Sequence, residues 1–67
     1  MTAEQLLSRA VTIRRKALKM TQDELADRAG CGQAIVSRLE SGTKMPSVEL
    51  VAAVLGALGL RLEVVES

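Results

Sequence analysis

A strong helix-start signal followed closely by two glycines constrains this chain more than any other feature of its sequence. Thr21 and Glu24 have the spacing of a capping box, in which each side chain accepts a hydrogen bond from the backbone amide of the other residue. A helix that begins at Gln22 ends at about Ala29, because Gly30-Cys31-Gly32 contains two residues that adopt positive φ at no steric cost. The sequence therefore predicts a short helix followed by a tight turn.

A third helix is predicted to follow this turn, from Gln33 to about Leu39. At about 100° per residue, its side chains separate into a polar arc and an apolar arc. The polar arc contains Gln33, Ala34, Ser37, Arg38 and Ser41. The apolar arc contains Ile35, Val36 and Leu39. Two short helices joined in this way can place the second in the major groove of duplex DNA while the first contacts the phosphate backbone.

A first helix is predicted before this pair. Thr2 and Gln5 form another capping box, so the helix begins at Ala3, and its apolar spacing continues to about Leu18. The stripe that keeps this spacing consists of Leu6, Ala10, Ile13 and Ala17, with Leu7 and Val11 beside it. We expect this stripe to face the hydrophobic core.

A fourth helix and a strand are predicted for the remainder of the chain. Ser47 caps the helix and Gly59 ends it. Its apolar residues are Val48, Leu50, Val51, Val54, Leu55 and Leu58, more than one small domain can cover. After it, Leu60, Leu62 and Val64 alternate with charged residues, as in a half-buried strand. No second strand is available in the chain, so we expect these three residues to pair with a second copy.

The composition excludes several classes of function. Among the 67 residues there is no Phe, Tyr or Trp, which argues against a protein that binds single-stranded nucleic acid by stacking. There is also no His and only one Cys, so we expect no catalytic residues, no cofactor and no metal site. We interpret Cys31 as a small turn residue, with a redox switch as the alternative. The sequence contains no signal peptide and no long apolar run, so a cytoplasmic protein without a membrane partner is expected.

The charge is distributed unevenly along the chain. The net charge is +1, but residues 1–19 carry +4, residues 20–46 carry −1 and residues 47–67 carry −2. A basic end favours a polyanionic partner, although a solvated helix face explains the same pattern.

The motif residues resemble those of the Xre/Cro helix-turn-helix family over about residues 11–59. The matching residues are Met20-Thr21-Gln22-Asp23-Glu24-Leu25-Ala26, Gly30, Val36-Ser37-Arg38-Leu39-Glu40, Gly42 and Pro46-Ser47. Within the family, Gln33-Ala34, Ser37 and the segment from Leu58 to Val64 are similar to HipB-like antitoxins. The sequence departs from the family pattern at Lys19, where Gly is common, and at Gly32, where a capping Ser or Thr is common.

The resemblance implies a mainly α, four- to five-helix lambda-repressor-like DNA-binding domain over residues 1–67. In this domain the helix-turn-helix covers about residues 21–40, and a C-terminal β-strand at about 60–66 pairs across a homodimer. The implied function is an autoregulating repressor that binds a palindromic operator as the antitoxin of a HipA-like kinase toxin. The alternative is a stand-alone or phage-type repressor without a toxin. The implied partners are double-stranded DNA, a second copy of the chain and the kinase.

Roles for individual residues follow from their chemistry and from the motif. The residues predicted to contact bases are Gln33, Ala34, Ser37 and Arg38. The residues predicted to contact phosphate are Thr21, Gln22, Thr43 and Lys44. A glutamine amide can both donate to and accept from adenine, while arginine can bind guanine bidentately or hold a phosphate. The resemblance also implies a structural ion pair between Arg15 and Glu40, although a DNA contact for Arg15 stays open.

Overall fold

The computed structural model describes residues 1–66 and contains four α-helices. These are α1 (Ala3–Ala17), α2 (Gln22–Ala29), α3 (Gln33–Ser41) and α4 (Val48–Ala57). Both predicted capping boxes are present, with Thr2 capping α1 and Thr21 capping α2. Helix α3 begins after Gly32 without a side-chain cap, and Ser47 caps α4. The chain is therefore mainly helical, with each helix beginning where its sequence signal predicts.

The helices enclose a core made only of aliphatic and sulfur-containing side chains. Helix α2 packs against α3 and α4, and α1 packs against α3. The buried apolar residues are Val11, Met20, Leu25, Ala26, Val36, Leu39, Val51, Val54, Leu55 and Leu58. Four of the six apolar residues predicted for the fourth helix are among them, whereas Val48 is exposed and Leu50 is half-buried. No helix within residues 1–66 is long and apolar enough to cross a membrane.

The predicted apolar stripe of α1 faces outward, which corrects the sequence-based expectation. Leu6 and Ile13 are 59% and 61% exposed, and Ala10 and Ala17 are exposed as well. The buried positions of α1 are Ser8 and Val11. Hydrogen bonds decide this orientation, because Ser8 donates to a carbonyl at the end of α3 and Arg15, one turn beyond Val11, pairs with the same helix. The periodicity of apolar residues in the sequence carries no information about such long-range polar contacts.

The expected C-terminal strand is absent from the described part of this single chain. Residues 60–66 have no regular secondary structure there. Leu60 is half-buried against the core, whereas Leu62 and Val64 are exposed. Because a strand needs a neighbour to satisfy its backbone groups, one chain by itself offers no partner for this segment. Pairing across a homodimer stays a prediction.

Lys19 adopts the left-handed backbone conformation. This is the position at which glycine is common in the Xre/Cro pattern. Its φ is 56°, the only positive value at a non-glycine residue among residues 1–66. An L side chain in this region is strained, whereas glycine is not. We expect Lys19→Gly to raise the free energy of unfolding by about 0.5 kcal/mol, the strain relief being partly offset by the added entropy of the unfolded chain. Urea denaturation at fixed protein concentration would measure the change, and Lys16→Gly inside α1, where φ is negative, should instead destabilise.

Candidate nucleic-acid interface

The turn between α2 and α3 holds the two helices in a helix-turn-helix arrangement. Gly30 ends α2 with a φ of 73°, a conformation that strains other residues. The Cys31 amide then donates to the carbonyl of Ala26 at 3.0 Å, which closes the turn. Ala26 is buried, so its small side chain lets the neighbouring helices approach closely. Gly32 leads into α3, whose first residue is therefore placed by the turn itself.

The outer face of α3 carries the four side chains that the sequence predicts to contact bases. Gln33, Ala34 and Arg38 are exposed, and Ser37 is half-buried. On the opposite face, Val36 and Leu39 are fully buried, and Ile35 is half-buried. Helix α3 therefore presents a polar surface to solvent while its inner face is held by the core.

Arg15 of α1 and Glu40 of α3 lie in contact in a largely buried position. Arg15 Nε donates to Glu40 Oε2 at 2.6 Å, and Nη2 donates to Oε1 at 3.0 Å. Arg15 Nη1 also donates to the Met20 carbonyl at 2.8 Å, which ties the loop after α1 to the same group. The two side chains are only 12% and 7% exposed. This bidentate geometry joins three segments of the chain.

The charge of Glu40 is maintained by its partners. Burial alone would raise the pKa of Glu40, but hydrogen bonds from Arg15 and Gln22 outweigh burial and hold the pKa below the usual glutamate value. The hydrogen bond to Glu40 likewise raises the pKa of Arg15. Both groups are therefore charged at neutral pH.

A chain of hydrogen bonds continues from this ion pair to the surface of α3. Gln22 Nε2 donates to Glu40 Oε1 at 3.2 Å, and Gln33 Nε2 donates to Gln22 Oε1 at 2.6 Å. Gln22, predicted only as a phosphate contact, thus also orients Gln33. No local sequence pattern indicates this link, because the two glutamines lie eleven residues apart and meet only when α2 and α3 pack.

The other predicted phosphate contacts lie at the start of α2 and in the loop after α3. The Thr21 hydroxyl accepts from the Glu24 amide at 3.0 Å, and the Thr21 amide donates to Glu24 Oε1. Hydrogen bonds to the Glu24 carboxylate from the Thr21 backbone amide and from the Thr21 hydroxyl lower the pKa of Glu24. The Thr21 backbone amide is thus occupied within the capping box. In the loop after α3, the Thr43 hydroxyl lies 2.6 Å from the hydroxyl of Ser41, the last residue of α3, and Lys44 is exposed.

Two residues that position the helices were missed by the sequence analysis. Ser8 Oγ lies 2.6 Å from the Leu39 carbonyl oxygen and 2.8 Å from that of Glu4, and the side chain is buried. Arg14 Nε donates to the Leu58 carbonyl at 3.0 Å, joining α1 to the end of α4. A serine in a helix commonly donates a hydrogen bond to a carbonyl in the preceding turn, and an arginine on a helix is commonly solvated. Neither residue therefore indicates, in the local sequence, that it contacts another helix.

Cys31 lies half-buried beside the core. Burial raises the pKa of its thiol, which keeps the group protonated and weakly reactive at neutral pH. The position agrees with a small turn residue.

Within residues 1–66, no three His, Cys, Asp or Glu side chains come together in a way that could bind a metal ion.

The braced helix pair and the outward polar face of α3 define a DNA-binding regulator of the helix-turn-helix class. The chain belongs to the helix-turn-helix family, whose pattern matches residues 12–65. The resemblance to Xre/Cro proteins is thereby confirmed. A comparison with curated proteins finds no match.

Among solved structures, a chain of the "Structure of HipA-HipB-O2-O3 complex" has the same fold. The superposition covers 100% of this chain and 94% of that chain, with a TM-score of 0.85 and 24% sequence identity. At this identity the likeness establishes a common fold for the two chains.

Proposed function

We propose that the chain is a sequence-specific transcriptional repressor that binds a pseudo-palindromic operator as a homodimer. Residues 1–67 act as one DNA-binding domain, in which residues 21–40 form the reading unit and α3 enters the major groove. This proposal rests on one observation. The Gln33 side chain is exposed on α3, and a chain of hydrogen bonds through Gln22 and Glu40 to Arg15 orients it.

The chemistry of this hydrogen-bond chain favours adenine as the base opposite Gln33. An ionised Glu40 can only accept, so Gln22 turns its NH₂ group toward Glu40 and its carbonyl oxygen toward Gln33. Gln33 must then donate one of its two amide hydrogens to Gln22. Its carbonyl oxygen and second hydrogen remain, and they match the N6 donor and N7 acceptor of adenine in the major groove.

The neighbouring side chains divide into reading and positioning roles. Ala34 is small and exposed, which suits contact with a thymine methyl group, and Arg38 on the same face can read guanine or hold a phosphate. Ser37 is half-buried, and its hydroxyl can donate to or accept from different bases, so it contributes less to sequence preference. Thr21, Gln22, Thr43 and Lys44 contact phosphates, which sets the register of the protein on the duplex.

The common fold with a chain of the HipA-HipB complex favours an antitoxin role within this function. In this role the homodimer binds a HipA-like kinase and represses its own promoter. Titration of the purified homodimer with such a kinase, followed by measurement of the mass of the complex, tests the partnership. A homodimer that binds its operator but no such kinase would instead be a stand-alone repressor.

Separate substitutions distinguish base reading from phosphate binding. Gln33→Ala should cost roughly 1–3 kcal/mol on the operator and relax the preference at one base position. Lys44→Ala should weaken binding to all sequences alike. It should also reduce the slope of log K against log salt concentration by about one, the contribution of a single phosphate contact. Mobility shifts with the operator, with single-base variants and with random duplex, each over a range of salt concentrations, measure both effects. Identical behaviour of the two variants on every duplex would contradict this division of roles.

A further inference from the structure

A small pocket of about 120 Å³ lies between α3, the loop after it and the first turn of α4. Its lining residues are Ile35 and Arg38 of α3, Lys44, Met45 and Pro46 of the loop, and Leu50 of α4. The apolar members of this set are half-buried, whereas the two cationic members are exposed. The pocket therefore has an apolar floor and a cationic rim, and none of its lining residues is acidic.

The rim has no counter-charge from the protein itself. Within residues 1–66, the ion pairs join Arg15 to Glu40 and Arg61 to Glu63, so neither rim cation takes part in one. Cations without a counter-charge attract an anion, and apolar surface is more stable against an apolar group than against water. A ligand that satisfies both parts of the pocket has one anionic head group and a short apolar tail.

We propose that the pocket binds a small amphipathic carboxylate and that this ligand releases the protein from its operator. The carboxylate lies at the rim, where the Arg38 guanidinium can bind it bidentately and the Lys44 ammonium supplies a second positive charge. The tail lies on the apolar floor and displaces water from it.

The volume of the pocket limits the length of the tail. An apolar cavity of roughly 150 Å³ holds one benzene molecule. A pocket of about 120 Å³ therefore holds about four or five carbon atoms, which excludes a long-chain fatty acid. A phosphate group fits the rim but leaves the floor in contact with water. The branched acid 3-methylbutanoate matches the pocket in both size and charge and is the probe for the experiments.

The ligand and DNA compete for the same two side chains. The inference rests on the proposed function, in which Arg38 contacts a base or a phosphate and Lys44 contacts a phosphate. A carboxylate at the rim occupies both cations, so these DNA contacts are lost while the ligand is bound. Because the ligand binds the free protein more tightly than the DNA-bound protein, it lowers the affinity for the operator.

Titration of the purified chain with 3-methylbutanoate at constant ionic strength, followed by NMR amide shifts, tests binding. We expect saturable shifts at the lining residues with a dissociation constant on the order of 1 mM. The uncharged 3-methylbutanamide should bind about tenfold more weakly, and acetate, which lacks the tail, should not saturate. Equal binding of the amide overturns the role of the rim. Equal shifts with acetate indicate an adventitious ion only and overturn the proposal.

Mobility shifts with the operator test the competition. At ten times its dissociation constant, 3-methylbutanoate should raise the operator dissociation constant about tenfold, whereas acetate at the same concentration should change it by less than about twofold. Leu50→Phe and, separately, Met45→Phe fill the pocket and should reduce the effect of the ligand to less than about twofold. Val48→Phe is the matched control, because Val48 is 74% exposed on α4 outside the pocket, and it should keep the tenfold effect. Circular dichroism confirms that each variant is folded.

The outcomes separate this inference from the proposed function. A chain that binds its operator but shows no saturable shifts at the pocket overturns the inference and leaves the repressor standing. Binding of the acid without a change in operator affinity overturns the competition. A dimer that Leu50→Phe weakens in ultracentrifugation, without any shift from the acid, assigns the pocket to a second copy and overturns the ligand. A chain that binds no operator overturns the proposed function, while saturable shifts at the lining residues still confirm the pocket.

Discussion

Glu40→Gln is expected to lower the free energy of unfolding by about 3 kcal/mol, because it leaves the guanidinium of Arg15 largely buried without a counter-charge. The substitution preserves the size of the side chain, so the loss reports charge and hydrogen bonding rather than packing. Glu49→Gln on the exposed first turn of α4 is the matched control and should change stability by less than about 0.5 kcal/mol. Chemical denaturation at neutral pH and fixed protein concentration measures both.

The pH dependence of this loss has a definite sign. The folded-state pKa of Glu40 is lowered, so its contribution to stability is present above the unfolded-state pKa and disappears as the pH falls through the folded-state value. The difference in stability between wild type and Glu40→Gln should therefore be large at neutral pH and shrink in acid. A difference that stays constant on acidification would show that the charge of Glu40 is not responsible.

Replacing both partners separates the structural role of the ion pair from its role in DNA reading. Arg15→Met/Glu40→Leu removes both charges together and should recover most of the stability lost in Glu40→Gln. Gln22 then has no carboxylate to donate to, so Gln33 loses its fixed orientation. We expect this double variant to fold but to discriminate poorly at the base opposite Gln33. A folded double variant with wild-type base preference would contradict the orienting role of Glu40.

Leu39→Ala is the second substitution with a large expected effect, a loss of about 2–5 kcal/mol in the free energy of unfolding. Leu39 is fully buried on the inner face of α3, and its carbonyl accepts the hydrogen bond from Ser8. Shortening the side chain leaves a cavity at the contact between α1, α3 and the rest of the core. In a domain of 67 residues, such a loss is comparable to the whole stability.

Leu6→Ala is the matched control for this prediction. Leu6 belongs to the apolar stripe of α1 but is 59% exposed, so its truncation should change the stability of the monomer by less than about 0.5 kcal/mol. Thermal and urea denaturation of the two leucine variants give the comparison. Equal losses at the two positions would mean that the stripe of α1 is buried after all.

The sequence by itself determined the positions of the helices. The starts at Ala3, Gln22 and Val48 follow from capping side chains, and the start at Gln33 follows from the glycine turn before it. The ends of α2 and α3 follow from Gly30 and Gly42 in the left-handed conformation. Caps and positive-φ glycines act through backbone atoms within a few residues, so a local pattern is enough to predict them. The separation of the polar and apolar faces of α3 followed from the same local geometry.

Only the tertiary structure decided which side chains meet. It turned Ser8 and Val11 of α1 inward instead of the longer stripe through Leu6 and Ile13, and it brought Gln22 of α2 to Gln33 of α3. These choices depend on hydrogen bonds between residues far apart in the chain, whose geometry exists only after the helices have packed. The C-terminal segment illustrates the same limit, because its alternating pattern indicates a strand but a single chain offers no neighbour to satisfy its backbone.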